Sequence, residues 1–354
     1  SARHAIEAAR EQIADGLEVE PGDIIFTSGG TESDNLAVRG AVMEHILKRR
    51  HLVVSAIEHQ AVLHTAQHLE KRGVRVSYIP TGRDGVVDLK ALETAVSDET
   101  ALVSLMHVNN ETGVIQPIEE AAKIAHAKGA LFHVDAVQSF GKLKINVENI
   151  GIDLLSLSSH KIYGPKGAGA LYIRKGVKIQ ALLHGGHQEK NIRPGTENVA
   201  AITGFGKAAE ILKHGHEEEA SRVLHLRNRL EAGLKKSAAG IHLNGHETRR
   251  IYNTLNLSFE GLDGETLLMN LDLKNIYAST GSACAAGSVE ASHVLIAMGL
   301  EEKLARAPIR FSVGRFTTKD EIDYALKEIP AIIERLRKAS TDKRHPERSE
   351  GSRL

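Results

Sequence analysis

Up to about residue 200, short apolar runs alternate with stretches that carry apolar residues at helical spacing. The runs are DIIFTSG (23–29), HLVVSA (51–56), VRVSYI (74–79), ALVSLMHV (101–108), ALFHVD (130–135), DLLSLS (153–158) and GALYIR (169–174). They are nearly continuous in Val, Ile and Leu, the pattern of strands buried on both faces. Amphipathic stretches such as 59–72 and 117–128 lie between several of them. This alternation predicts an α/β layer with a mostly parallel central sheet. After residue 204 the texture changes: a charged helical region (roughly 205–239) leads to IHL (241–243), NTLNLSF (253–259) and IRFSV (309–313), interleaved with helices. The chain therefore reads as a large domain over 1–204 and a smaller α+β domain over 205–340. The last helix opens on a capping box, Thr318 with Glu321, and its stripe is Ile322, Leu326, Ile329, Ile333 and Leu336. Pro330 inside that stripe is expected to kink or split it. Residues 341–354, TDKRHPERSEGSRL, have no apolar face and read as a disordered tail.

Composition narrows the function classes. The 354 residues are 42% hydrophobic and 25% charged, as in globular proteins, and large enough to bury one or two cores. Lys plus Arg and Asp plus Glu are both 45, so no net charge draws the chain to nucleic acid or to an anionic membrane. No apolar run reaches membrane-spanning length. The single cysteine, Cys284, excludes an intrachain disulfide and a thiolate metal cluster, and fits a reducing, cytoplasmic setting. The chain starts Ser1-Ala2-Arg3-His4 with a helical pattern at once, which suggests an N-terminal truncation.

Two strand ends carry candidate chemistry. FHVDAVQS ends a buried strand in Asp135, and acids seldom end buried strands without a partner. Ligands bind at the carboxyl ends of strands in open α/β sheets. A second strand runs into SSHKIYGPKGAG, which supplies Lys161. A lysine amine to form a Schiff base and a carboxylate to hold a protonated ring nitrogen are what pyridoxal phosphate chemistry needs. Taken singly, Asp135 is as well a helix cap and Lys161 a surface lysine; their pairing on two strand ends is the signal. FTSGGTESDNLA (26–37) is a strand, a Gly-rich turn and a helix start, a cradle for phosphate in which Gly30 and Thr31 would take part. Ser158, Ser159 and His160 can add donors. His59 follows a strand and can stack on a ring and relay protons, although a lone histidine is more often a surface or core residue. Cys284 sits in STGSACAAGS with no bulky neighbour, and a buried structural thiol is its ordinary alternative.

Read together, the blocks TSGGTESDNLA, IEHQAVL, MHVNNETGVIQPI, HVDAVQSFGK, SSHKIYGPKGAGALY, HGGHQEKNIRPGTENV, GSACAAGS and IRFSVGRFTT resemble cysteine desulfurases of the NifS/IscS type. These belong to the class V aminotransferase family of fold-type-I pyridoxal phosphate enzymes. The resemblance spans residues 1 to about 340. It implies that Lys161 carries the cofactor and Asp135 pairs with its ring nitrogen. Gln138 would bond the ring hydroxyl, and His59 would stack on the ring and move protons. Thr31, the Gly30 backbone, Ser158 and His160 would bind the phosphate. Thr196 would reach the phosphate of a neighbouring subunit, making a homodimer. Asn110 would contact cofactor or substrate, and Arg310 would fork onto the substrate carboxylate, with a structural salt bridge as its alternative and Arg315 as a competitor.

By the same resemblance, Cys284 would take sulfur from L-cysteine as a persulfide, release L-alanine and pass the sulfur to an acceptor such as an iron–sulfur scaffold protein. The loop bearing GSAC points to the housekeeping or nitrogen-fixation branch. The family's usual N-terminal Asp-Asn-Ala-Ala-Thr-Thr-like segment has no counterpart here, and AAG after Cys284 departs from the commoner Ser/Thr version. A selenocysteine lyase, another class V aminotransferase and a non-enzymatic sulfur-relay protein are the rival readings.

Overall fold

The computed structural model describes residues 1–213, 216–280 and 291–342. Within these, the chain forms two compact units. The first is Ser1–Gly82, Val86–Asn110 and Val114–His216; the second is Arg83–Gly85, Glu111–Gly113 and the chain from Glu217 onward. Helix α7 (Val199–Leu212) runs unbroken across residue 204, where the composition changes, so the first unit extends to His216.

In the first unit the seven apolar runs form β1 (Ile24–Thr27), β2 (His51–Ser55), β3 (Arg75–Ile79), β4 (Thr100–Ser104), β5 (Leu131–Asp135), β6 (Leu154–Ser158) and β7 (Gly169–Ile173). They make one sheet in the order β1-β7-β6-β5-β4-β2-β3. Strands β3, β2, β4, β5 and β6 are parallel, and β7 alone runs against its neighbours β6 and β1. Helices α1 (Ala2–Leu17), α2 (Gly30–His45), α3 (Gln60–Glu70), α4 (Leu89–Ala95), α5 (Ile118–Ala127), α6 (Val147–Ile150) and α7 cover the sheet. Two cores result, one on each face. Phe132, Val134, Leu155 and Leu157 pack with α1, α5 and α7. Leu52, Val54, Leu102 and Leu154 pack with α2 and α3. Burial on both faces is why these strands read as continuous apolar runs.

The second unit holds α8 (His216–Ser237) beyond its first residue, β8 (Ile241–Leu243), β9 (Thr254–Phe259), α9 (Gly264–Asp272), α10 (His293–Ala297), α11 (Glu302–Ala305), β10 (Pro308–Ser312) and α12 (Lys319–Asp342). Its sheet is antiparallel, in the order β10-β9-β8. The capping box forms: the Glu321 N–H donates to Thr318 Oγ1 at 3.2 Å, and the Thr318 N–H donates to Glu321 Oε2 at 2.7 Å. Helix α12 continues through Pro330 rather than splitting. The proline removes one backbone donor, but buried Ile329, Ile332 and Ile333 anchor the helix on both sides of it. The helix runs to Asp342, so the first two residues of the expected tail are helical; the rest lies outside the described residues.

Candidate active site

On the face that α2 covers, β4, β5 and β6 turn polar towards their carboxyl ends. There Ser104, His133, Asp135, Ser156 and Ser158 interrupt them, all buried. Period-two alternation puts His133 with Asp135 on β5, and Ser156 with Ser158 on β6. Register sets Asp135 beside Ser156 and His133 beside Ser104. Asp135 Oδ1 accepts the Val137 N–H at 2.9 Å, and no hydrogen bond engages its other oxygen among the described residues. Burial raises the Asp135 carboxyl above its ordinary value, while the Val137 N–H and the charges of His59 and Lys161 pull the other way. The latter two act on Asp135 from other strand ends, so the structure brings Asp135, Lys161 and His59 together.

Local backbone geometry aims each of them. Lys161 lies in the turn Ser159–Ile162 after β6, pinned by buried Ser159 and Ile162 and closed by Tyr163 at φ 66°. His59 caps α3, its Nδ1 accepting the Ala61 N–H at 3.1 Å. A neutral ring so held carries its proton on Nε2. Gln138 and Asn110 are half-buried on the loops after β5 and β4. Asn109 ties that second loop down, its Nδ2 donating to the Ile57 carbonyl at 3.0 Å.

The turn between β1 and α2 makes a cradle. Gly30 opens α2 so close to Val137 that a Cβ there would meet Val137 Cγ2 at 2.7 Å. Gly169 on β7 lies against Gly29, where a Cβ would meet the backbone at 2.6 Å. Glu32 accepts the Ser28 N–H and Arg193 Nε, each at 2.7 Å. Burial works against the Glu32 anion, but Arg193 and Ser28 hold its carboxyl below the ordinary value. Thr31 is exposed at the first turn. Next to Gly30, Ser158 Oγ meets His160 Nδ1 at 2.9 Å. Burial lowers His160, as do Lys161, Lys166 and Lys142, so this corner concentrates positive charge. A helix N-terminus, hydroxyls and lysines are a donor set for a phosphorylated ligand. Gly30→Ala is expected to destabilise the chain by about 1–3 kcal/mol, because a clash with a stiff β-branched neighbour outweighs alanine's better helix propensity. Denaturant unfolding of the cofactor-free chain checks this; an unchanged midpoint would refute it.

Several residues of this region escaped the sequence reading. Asp34 and Glu58 are buried acids beside Asp135. On a helix and in a turn, charged residues are ordinary, so nothing in their spacing marked them. Lys142 donates to the Gln138 carbonyl at 2.9 Å, and burial together with Lys161 pushes its amine down to about 7. Glu189 forks onto Arg10 at 2.6 and 2.9 Å and accepts the Phe26 N–H at 2.7 Å. This grip holds Glu189, Lys190 and Asn191 in left-handed conformations at φ 44°, 57° and 64°, which L residues adopt only when their surroundings enforce it.

Thr196 lies apart from the Asp135 cluster. It lines a cavity of about 620 Å³ with Arg10, Glu189 and Lys190. Arg310 belongs to the second unit, on β10, bridged to Ser279 by hydrogen bonds of 2.7 and 3.1 Å. In that unit it acts on Glu111, whose carboxyl burial raises and whose Oε2 accepts from Ser292 Oγ at 2.5 Å; the Ser292 bond and the charges of His293 and Arg310 pull it down. Arg315 pairs with Glu219 at 2.6 Å. Cys284 lies outside the described residues.

Comparison with known proteins decides the family. The model of the class-V aminotransferases matches residues 1–325. The chain belongs to that family. The class-V chain is 49% identical over 340 residues to a protein named cysteine desulfurase IscS from Methanosarcina thermophila, an alignment covering 96% of this chain and 84% of that one. Among solved structures, a NifS-like protein matches with a TM-score of 0.88 and 40% identity, covering 94% of this chain and 88% of the other. A structure titled SspA in complex with cysteine matches with a TM-score of 0.78 and 38% identity over 90% and 88% of the two chains. The mostly parallel sheet with a smaller α+β unit is thus the fold-type-I architecture of class-V aminotransferases. Of the residues that set this class-V chain apart in its sequence, those on strand ends β1, β2, β5 and β6 converge in the first unit. No helix among the described residues is long and apolar enough to cross a membrane.

Proposed function

We propose that this chain is a pyridoxal phosphate-dependent cysteine desulfurase that converts L-cysteine to L-alanine and collects the sulfur on Cys284. The observation that carries the reading is the convergence of Asp135, Lys161 and His59 from three separate strand ends in a chain of this family. The cradle's donors suit the cofactor: close packing at Gly30 and Gly169 seats the N-terminus of α2 against β6 and β7, beside the Ser158–His160 pair. Bound pyridoxal phosphate would supply an electron sink for the substrate's α-carbon. Lys161 would hold it covalently, with Thr31, the Gly30 backbone, Ser158 and His160 on its phosphate and Thr196 reaching a second subunit's phosphate in a homodimer. Asp135 would keep the ring nitrogen protonated, and Gln138 would bond the ring hydroxyl. His59, with its proton on Nε2, would stack on the ring and move protons at the substrate. Asn110 would contact cofactor or substrate, and Arg310 would fork onto the substrate carboxylate.

The Cys284 thiolate would attack the substrate sulfur, so that the carbon–sulfur bond breaks as the sulfur–sulfur bond forms. The persulfide would then pass to an acceptor protein such as an iron–sulfur scaffold. The names of the relatives and the cysteine-bound SspA structure support cysteine as substrate. Incubating the chain with pyridoxal phosphate, L-cysteine and a thiol reductant should give alanine and sulfide in equal amounts. A selenocysteine lyase would turn over only L-selenocysteine, and an aminotransferase would make pyruvate derivatives without sulfide.

A further inference from the structure

Beneath Asp135 lies a layer of ionisable groups shut off from water. Glu58 and His133 are 0% exposed, and Asp34 is 1% exposed. Glu58 comes from the turn after β2, His133 from β5, and Asp34 from α2, which packs on this face of the sheet. Glu58 Oε1 accepts from Ser55 Oγ at 2.5 Å and from the Met106 N–H at 2.9 Å. His133 bonds Ser104 through Nδ1 at 2.8 Å and Ser156 through Nε2 at 2.9 Å. Complete burial keeps the His133 imidazole neutral, lowering its value to about 3. It is therefore no counter-charge for Asp34, although Nε2 is 3.7 Å from Asp34 Oδ1.

Three carboxyls in one dry pocket cannot all ionise. The surrounding charges are unequally shared. Asp135 faces His59 and Lys161, both of which favour its anion. Asp34 faces the charges of Asp135 and Glu58, and Glu58 faces that of Asp135, each of which disfavours ionisation. Asp34 Oδ1 moreover has no hydrogen-bond partner, a far costlier state for an anionic oxygen than for the carbonyl oxygen of a neutral acid.

We propose that Glu58 and Asp34 are positioning residues that stay protonated beneath Asp135, leaving Asp135 the single anion of the cluster and the one placed to hold a cationic ring nitrogen. The inference rests on the pyridoxal phosphate reading above. Burial pushes the Glu58 carboxyl from 4.5 to about 8. The folded chain keeps that proton where the unfolded chain has lost it. The stability tied to Glu58 is thus full below pH 4.5 and is lost as pH rises to about 8. Glu58→Gln, which keeps the shape of the neutral acid, should flatten that part of the fall in melting temperature.

Infrared spectroscopy of the protein near pH 7 reads the acids directly and needs no cofactor. The carbonyl stretch of a protonated carboxylic acid is expected in the wild type, reduced in Glu58→Gln and again in Asp34→Asn. In the holoenzyme, visible absorbance titrated against pH should keep its midpoint in both variants, whereas Asp135→Asn should move it by about one pH unit or more. Loss of a carboxylate band in Glu58→Gln, or a midpoint moved as far as in Asp135→Asn, overturns the proposal. Should Glu58→Gln not fold, the same two outcomes in Asp34→Asn decide it. A wild type that takes up no pyridoxal phosphate would sink the parent reading instead, with the infrared result still standing. A purely packing role for Glu58 would leave no acid band to lose.

Discussion

The Cys284→Ser holoenzyme is expected to release no sulfide from L-cysteine above background while keeping the visible absorbance of its bound cofactor. Removing a nucleophile that forms a covalent intermediate typically costs about 10⁴-fold or more in turnover. A serine hydroxyl cannot substitute, because its pKa lies far above that of a thiol and sulfur must be received by sulfur. Lys161→Ala should lose both sulfide and absorbance. Lys161 stands on a turn with little freedom: a Cβ at Gly164 would meet Ser159 Oγ at 2.2 Å, and Tyr163 is left-handed. Nearby Lys142 is held on the Gln138 carbonyl. Sulfide and alanine assays on both variants, beside absorbance spectra, check the pair. Undiminished sulfide from Cys284→Ser would overturn the reading in which Cys284 collects the sulfur.

Asp135→Asn should lower the rate of alanine formation by about 10²–10³-fold, the usual consequence of removing a preorganised charge partner. The amide keeps the size of the carboxylate and can still accept the Val137 N–H that now binds Oδ1. What it loses is the negative charge. Near-normal folding with a collapsed rate is therefore expected, measured as the melting temperature against turnover. A melting temperature that falls in step with the rate would assign Asp135 to stability alone. A rate within a few-fold of wild type would remove Asp135 from the chemistry.

The strands were legible because burial on both faces writes itself into composition, with polar residues tolerated only where a ligand or a network satisfies them. Asp135 and Lys161 stood out because they sit next to such runs. Asp34 and Glu58 did not. Asp34 is in an amphipathic helix, where one aspartate among polar residues is unremarked, and its burial follows from α2 lying against Ser156 and His133. Glu58 looks like an ordinary turn residue next to His59. Its burial depends on the loop after β4 closing over it, which the Met106 N–H bond records. The first unit's end at His216 was equally hidden, since α7 packs its buried side on the first unit and the densely charged α8 opens the second.

By itself the sequence determined the strand and helix order, the mostly parallel sheet, the family and the residue types available for chemistry. Each of these rests on local periodicity or on contiguous motifs, which survive without knowledge of neighbours. Only the tertiary structure decided which charges share a pocket. Asp34, Glu58, His133 and Asp135 are up to about a hundred residues apart along the chain, and their ionisation depends on burial and mutual distance. The sheet order β4 between β2 and β5, with α2 laid across it, sets those distances, and no stretch of sequence encodes them singly.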